Sequence, residues 1–339
     1  RSTNSISGLV PLFSFSAGRA RPETMIYGFT LRNHRLEQLN LEADSTTLNQ
    51  AIWIDLLKPD DAEREQVESM YRQNLPEPEE VEEIEASARF FEDADGLHLH
   101  SYFLHRQDKR ISNSTVAFTL KDQRLFTLHD HELPAIRMFR LRARREQGLA
   151  KDALSLMITL FETKVEELAD ILEEVQTALN AVSGQVLESN DVSMEDAIDE
   201  LARQEDINGK VRLCLMDTQR ALTYLLRRAR LGSTQADEVR EIMRDIESLL
   251  PHNSFLFEKV NFLMDAAQGF ISIEQNKIIK IFSIAAVVFL PPTMIASIYG
   301  MNFQIMPELG WELGYPLAIG LMVLSGIAPY WYFKYRGWL

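Results

Sequence analysis

The chain has 339 residues, with 35 Lys and Arg against 50 Asp and Glu, a formal net charge of −15. That acidity suits cations and disfavours nucleic acid, whose phosphates it would repel. A single cysteine, Cys214, excludes a disulfide framework and a thiolate metal cage; its thiol is expected to be buried and inert.

Residues 1–24 differ in character from the rest of the chain, with a short apolar run from Leu9 to Phe15 among Ser, Gly and Arg. A cytoplasmic N-terminus, which the charges flanking the apolar C-terminal runs require, opposes a signal peptide. The segment is expected to be an expression remnant or a disordered extension ahead of Met25.

Residues 25–148 read as a cytoplasmic α/β domain. Runs 26–31, 35–39 and 51–56 are strand-like, the first two joined at a turn near Asn33. Pro59-Asp60-Asp61 opens a helix to about Arg72, capped by Asp60. A second helix is expected over about 79–88, its acids forming a solvated face. Four further strands are expected at 89–93, 97–105, 114–120 and 124–129, with hairpin turns at Asp95-Gly96 and Asp122-Gln123. The alternation in Leu97-His98-Leu99-His100 puts both histidines on one strand face. With only the looser His129-Asp130-His131 cluster as further ligands, exposed strand histidines are expected rather than a zinc site. A basic helix over 133–147, with Arg137, Arg140, Arg142, Arg144 and Arg145, closes the domain as a solvated or salt-bridged face.

Residues 149–277 read as long cytoplasmic helices and a stalk. From Asp152 there is almost no turn chemistry until about Gly184. A second long helix runs from a Ser193 cap, with Asp196 at its third position, to Arg230. Gly232-Ser233-Thr234 breaks the pattern. A third helix starts near Gln235, is interrupted by Pro251 and again by Pro291 and Pro292, and need not stop until the loop at Gly300. About 60 residues at 1.5 Å each span ~90 Å.

Residues 281–299 and 313–333 contain no charge. Each is about the length that crosses a ~30 Å hydrocarbon core. They define transmembrane helices over 278–299 and 313–335, an external loop over 300–312 and a tail over 336–339. Lys277 and Lys280 precede the first span, and Lys334 and Arg336 follow the second. The loop carries only Glu308 and Glu312. The positive-inside rule puts both termini in the cytoplasm and the loop outside the cytoplasmic (inner) membrane. Tyr299, Trp311, Tyr315, Tyr330, Trp331, Tyr332 and Trp338 lie near the span ends, where aromatic belts form.

Steps of four and three from Asp265 pick out Gly269, Ser272, Asn276, Ile279, Ser283, Ala286, Leu290, Thr293 and Ser297. Most are small, and several carry a hydroxyl or amide. Two readings stand: a tight helix–helix contact, or a water-filled pore with apolar constrictions at Ile279 and Leu290. One helix encloses no pore, so the second reading requires a homo-oligomer around a common axis.

Tyr299-Gly300-Met301-Asn302 follows the first span, and Met306-Pro307-Glu308-Leu309 lies in the loop. Gly314-Tyr315-Pro316 opens the second span, which ends in Tyr332-Phe333-Lys334 and Trp338-Leu339. These motifs resemble the CorA family of magnesium transport proteins. So do Ile84-Glu85-Ala86-Ser87-Ala88-Arg89-Phe90-Phe91-Glu92-Asp93 and Asp245-Ile246-Glu247-Ser248-Leu249-Leu250-Pro251-His252-Asn253. The resemblance spans nearly the whole chain from Met25. It implies a funnel-shaped homopentamer in the lipid bilayer, with the first span lining the pore and the second forming an outer ring. Gly300 and Met301 would lead to a ring of Asn302 at the outer mouth. Asp265, Asn276, Ile279, Leu290, Thr293 and Ser297 would face the pore, along the same seam as Ser283. Glu92, Asp93, Glu241 and Asp245 are candidates for acidic regulatory cation sites between subunits.

The function so implied is influx of hydrated divalent cations, Mg²⁺ first with Co²⁺ and Ni²⁺ as further cargo, gated by intracellular Mg²⁺. Mg²⁺ sheds water reluctantly, so the neutral amide of Asn302 suits a site that grips its hydration shell. Glu308 and Glu312, repeated around the mouth, would concentrate cations. No enzyme activity is expected: a Walker-type phosphate loop, a catalytic triad and zinc-hydrolase spacing are all missing from the sequence. The alternatives are a zinc transporter of the same fold, whose members often carry Ile in place of Met301, and a membrane-anchored cation sensor.

Overall fold

Alternating apolar residues in the first third of the chain build one seven-stranded sheet. Its strands are β1 (Met25–Arg32), β2 (Arg35–Gln38), β3 (Trp53–Leu57), β4 (Phe90–Asp93), β5 (Gly96–Gln107), β6 (Arg110–Lys121) and β7 (Arg124–His129), in the order β2-β1-β3-β7-β6-β5-β4. Only β3 and β7 run parallel; the other neighbours are antiparallel. This computed structural model describes residues 25–33, 35–39, 45–77, 85, 89–107, 110–149, 151–188, 194–302, 304 and 306–338. The expected helix over 79–88 and the Ser193 cap lie outside the described residues, apart from Glu85.

Local chemistry sets the corners. Asn33, Asp122 and Gln123 have φ of 52°, 47° and 63°, the left-handed backbone that tight hairpins need. Gly96 has φ 127°, and a Cβ there would stand 2.4 Å from the Leu120 carbonyl oxygen. Helix α1 (Asp61–Tyr71) opens with a capping box: Glu63 N–H donates to Asp60 Oδ1 at 2.8 Å, and Asp60 N–H to Glu63 Oε2 at 3.0 Å. Strands β5 and β6 run longer than expected because they pair with each other all the way from Leu97↔Leu120 to Gln107↔Arg110.

Helices cover both faces of the sheet. On one face Val67 of α1 joins Leu48, Ile54, Leu56, Phe126 and Leu128 in a core. On the other, Trp53 meets Phe139 of α2 (Pro134–Arg145), and Phe118 meets Phe161 of α3 (Ala153–Glu188). This double cover corrects the expectation of exposed strand histidines: His98 and His100 are only 3% and 1% exposed. Phe91 stacks on His98 at 4.5 Å and meets His100 edge-on at 5.9 Å. Asp55, in mid-β3, is also buried. It accepts from Thr127 Oγ1 at 2.6 Å, lies 2.9 Å from His129 Nε2, and has Arg140 at 3.7 Å. Burial alone would raise its carboxyl pKa, but His129 and then Arg140 and Thr127 hold it below the usual range.

Two further long helices follow, α4 (Met194–Arg228) and α5 (Ser233–Tyr299). Asp196 stands at the third position of α4, and Gly184 lies inside α3 rather than at its end. The chain divides into two units. One holds the chain up to Thr177 with Gln204–Phe257; the other holds Ala178–Arg203 with Glu258–Leu339. In the first unit α4 and α5 are joined by reciprocal amide bonds. Asn208 Nδ2 donates to the Asn253 carbonyl at 3.0 Å, and Asn253 Nδ2 to the Asn208 carbonyl at 2.8 Å. The interruptions expected at Pro251, Pro291 and Pro292 do not occur: α5 runs through all three, with this buried clamp only two residues from Pro251. In the second unit Val182 and Val186 of α3, Ala197 and Leu201 of α4, and Val260, Leu263 and Ala267 of α5 are buried.

Candidate ion-conduction site

Among the described residues, the C-terminal part of α5 and α6 (Gly314–Tyr335) are the two helices long and apolar enough to cross a membrane. Only 6% of each apolar window is buried within the chain. A soluble core helix would be mostly covered, so these segments need lipid or further copies of the chain.

The two helices meet along a defined seam. On α5 the covered positions are Ile284, Ala285, Val288, Pro291, Pro292, Ile295 and Tyr299; on α6 they include Gly314, Ala318, Met322, Gly326 and Phe333. A Cβ built on Gly326 would stand 3.4 Å from Pro292 Cγ, so the glycine lets the backbones approach closely. The polar stripe lies elsewhere. Asp265, Asn276, Ile279, Ser283, Leu290, Thr293 and Ser297 are all exposed. At about 100° of turn per residue, the stripe from Ser283 to Ser297 runs along the side of α5 opposite its α6 seam. The small residues of the stripe are therefore not used in packing α5 against α6. Thr293 Oγ1 donates to the Phe289 carbonyl at 2.7 Å, and Ser272 Oγ to that of Gln268 at 3.0 Å. This i−4 bonding consumes the hydroxyl proton and leaves oxygen lone pairs facing outward.

The stripe ends at the Gly300-Met301-Asn302 motif. Gly300 N–H closes the last turn on the Ala296 carbonyl at 2.9 Å, and Met301 N–H bonds that of Ile298 at 3.2 Å. Met301 and Asn302 are exposed, and Asn302 has no hydrogen-bond partner among the described residues. Its amide is free to meet a ligand or its shell of water. A short 3-10 turn at Pro307–Gly310 then leads back to α6. Trp311 N–H donates to the Glu308 carbonyl at 3.3 Å, and Gly314 N–H to that of Trp311 at 3.0 Å. A Cβ on Gly314 would come within 2.4 Å of the Glu308 carbonyl oxygen. In the sequence Gly314 is only part of a motif. Its role in holding the Glu308 turn shows only when the loop folds back. Glu308 is half-buried and Glu312 exposed.

The four regulatory candidates are all exposed. Glu92 and Asp93 are neighbours on β4, at the edge of the sheet; Glu241 and Asp245 are one turn apart on α5. Asp93 Oδ1 accepts from Asp95 N–H at 2.7 Å and lies 3.0 Å from His98 Nε2. Burial pushes its carboxyl up, but the Asp95 N–H, His98 and the Gly96 N–H outweigh this and hold it low. Among the described residues, no three His, Cys, Asp or Glu side chains form a metal-holding group. Sequence reasoning missed a second acidic patch. Burial raises the Glu162 carboxyl of α3, helped by Glu166 and by Glu238 and Glu241 of α5, against Arg142.

The chain matches the family model described as CorA-like Mg2+ transporter protein over residues 49–335. It is 55% identical to the magnesium transport protein CorA of Yersinia pseudotuberculosis over 317 residues, 93% of this chain and 100% of the relative. It is 56% identical to the protein of that name from Escherichia coli K12 over the same shares. In fold it is similar to CorA from Methanocaldococcus jannaschii, with a TM-score of 0.74 at 18% identity, covering 93% of this chain and 99% of the other. The cytoplasmic domain of ZntB from Vibrio parahaemolyticus is similar over 74% of this chain and 98% of its own, with a TM-score of 0.55 at 13% identity.

Proposed function

The chain belongs to the CorA-like Mg2+ transporter family, and on that premise we propose that it admits Mg²⁺ through a pore built by several copies of α5. The observation that carries this reading is the exposed polar stripe on the side of α5 away from α6, running up to a free Asn302. A membrane anchor has no use for such a line. A pore does: oxygen atoms at Asn276, Ser283, Thr293 and Ser297 exchange hydrogen bonds with a hydrated ion, and Ile279 and Leu290 form rings that can dewet.

Repetition of the stripe around an axis calls for a homo-oligomer, and we take the homopentamer of the family resemblance as its form. In this arrangement Asn302 forms the outer ring and holds the ion's water shell without a fixed charge, so that the ion also leaves. Glu308 and Glu312 make the mouth negative and raise the local cation concentration. With both termini in the cytoplasm, flow is inward down the membrane potential, and Co²⁺ and Ni²⁺ of similar charge follow the same route. Segments 25–148 and 149–277 form the cytoplasmic part, and 278–299 and 313–335 the spans.

Feedback by intracellular Mg²⁺ is part of the proposal. Glu92, Asp93, Glu241 and Asp245 present exposed carboxylates, and a single chain assembles no three-ligand group among the described residues, so a regulatory site requires a neighbouring copy. Cation binding there relieves repulsion between copies and favours the closed assembly. Asp245→Lys should leave flux insensitive to internal Mg²⁺; unchanged inhibition removes that residue from the site.

The primary test is Mg²⁺ entry into proteoliposomes loaded with a Mg²⁺-sensitive dye, wild type against Asn302→Ala. Entry that depends on Asn302 supports the pore and its mouth. Well-folded wild type that admits no Mg²⁺ under an inward gradient and negative internal potential, with low internal Mg²⁺, overturns it; the assay is then repeated with Zn²⁺.

A further inference from the structure

We propose that the cleft beyond the C-terminal end of β7 binds a small phosphorylated anion, held by the His105–His131 pair and Arg137. Independent of the transport reading, it lies wholly in the unit that carries the sheet. β7 ends at His129, and the chain turns through residues 130–133 into α2. A cleft of about 380 Å³ opens there, with His105, Arg106, His131, Glu132 and Arg137 in its wall. Crevices beyond the carboxyl ends of parallel strands, beside a helix N-terminus, are where open sheets collect ligands, and β7 runs parallel to β3.

Four observations point to an anion. The two imidazoles stack face to face, with centroids 4.1 Å apart and planes 9° apart. His105 is only 8% exposed, and its Nδ1 has no hydrogen-bond partner among the described residues. Such a buried polar atom is costly unless something answers it. Arg137 stands exposed at the rim without an ion-pair partner among the described residues. Finally, α2 starts at the cleft with Leu133 in the cap position and no side-chain cap from it, so the positive end of the helix dipole lies beside the cleft.

The acidic groups nearby leave Arg137 as the guanidinium open to a ligand among the described residues of the wall. Glu132 lines the cleft. Arg106 is engaged by Glu174 at 2.6 Å, and Glu167 of α3 takes the Ala135 N–H in the first turn of α2. Against this background a monoanionic carboxylate gains little. A phosphate monoester carries nearly two charges at neutral pH, accepts a forked pair of bonds from a guanidinium, and can meet the exposed imidazole of His131 as well. Burial and the neighbouring His131 hold His105 below the ordinary imidazole range, so bound phosphate should also raise the fraction of the pair that is protonated.

The test is calorimetric titration of the full-length chain in lipid nanodiscs, in Mg²⁺-free buffer, with inorganic phosphate, glucose 6-phosphate or acetate. Expected are saturable phosphate binding, a loss of about tenfold or more in Arg137→Gln and in His131→Gln, and no saturable heat with acetate. Tighter binding of glucose 6-phosphate marks an esterified ligand; weaker binding marks free phosphate. No saturation with either phosphate, acetate binding equal to phosphate, or affinities unchanged in both variants overturns the proposal. Arg137 is exposed, so its variant is expected to melt like the wild type and keeps the result interpretable.

Discussion

Arg89 and Asp217 form a buried ion pair, 3.3 Å apart, that closes the edge of β5 where β4 stops. Strand β4 pairs with β5 only from Gly96 to Leu99. The next edge carbonyl, of His100, accepts from Arg89 Nε at 3.2 Å and from a terminal guanidinium nitrogen at 3.0 Å. The next edge N–H, of Tyr102, donates to Asp217 Oδ2 at 2.9 Å, and Ser101 Oγ donates to the same oxygen at 2.7 Å. An ion pair thus stands in for a missing strand and protects an edge that would otherwise invite pairing.

Removing one member leaves the other charged and buried. Asp217→Ala should cost about 3–5 kcal/mol and lower the melting temperature of the full-length protein in detergent. Asp217→Asn retains an acceptor for Ser101 and Tyr102 and should fall between. A neutral result for Asp217→Ala would mean that Arg89 is hydrated there.

The Asn208–Asn253 clamp predicts coupling between α4 and α5. Each single change to Ala should cost about 1–3 kcal/mol, since buried amide and carbonyl groups lose partners. The double variant should lose less than the sum, by at least about 0.5 kcal/mol. Strict additivity of the two melting shifts would show that the bonds are not cooperative.

Gly314 should be intolerant where Gly320 is not. Alanine at 314 forces a 2.4 Å contact with the Glu308 carbonyl, while nothing lies within 4 Å of a Cβ at 320. Gly314→Ala is expected to reduce Mg²⁺ entry by about tenfold, a change of about 1.4 kcal/mol, and Gly320→Ala to leave it unchanged. Equal rates in the proteoliposome assay would dissociate the Glu308 turn from transport.

Glu167 sets a pH dependence. Burial pushes its carboxyl from 4.5 up to about 7, against the pull of Arg106 and Lys164. The folded chain therefore keeps a proton that the unfolded chain has released. Stability from this group is full below about 4.5 and lost as pH rises through about 7, by at most about 3 kcal/mol. Glu167→Gln should flatten the melting temperature across that window. A wild-type curve already flat between those limits would contradict the assignment.

Features with a local cause are legible in the sequence: the Asp60 cap, the left-handed turns at Asn33 and Asp122-Gln123, and the spans. So is the stripe from Asp265 to Ser297, because a helix repeats every 3.6 residues wherever it sits. Features with a distant cause are not. Alternation at His98 and His100 identifies a face, but only the pairing of β4 brings Phe91 over both rings and keeps that face from water. Lys164 is 1% exposed, over Phe103 and bonded to Ser101 Oγ at 2.9 Å, and nothing in its neighbours along α3 marks it as a core residue. Pro251 reads as a break, yet α5 runs through it, and the amide bonds that hold the next turn to α4 come from Asn208 on another helix. At the candidate site the stripe can be read, while the Gly314–Glu308 contact depends on how the loop folds back.

Pro291 and Pro292 remove two rungs from the hydrogen-bond ladder of α5, baring the carbonyls of Val287 and Val288 in a region without water. A bare carbonyl in hydrocarbon is worth several kcal/mol of penalty. A methyl group placed on Gly326 would lie 3.7 Å from the Val288 oxygen, so α6 passes close over that bared backbone. The second span then serves as insulation: it screens polar backbone from lipid on one side of α5, while the opposite side stays free to be wet.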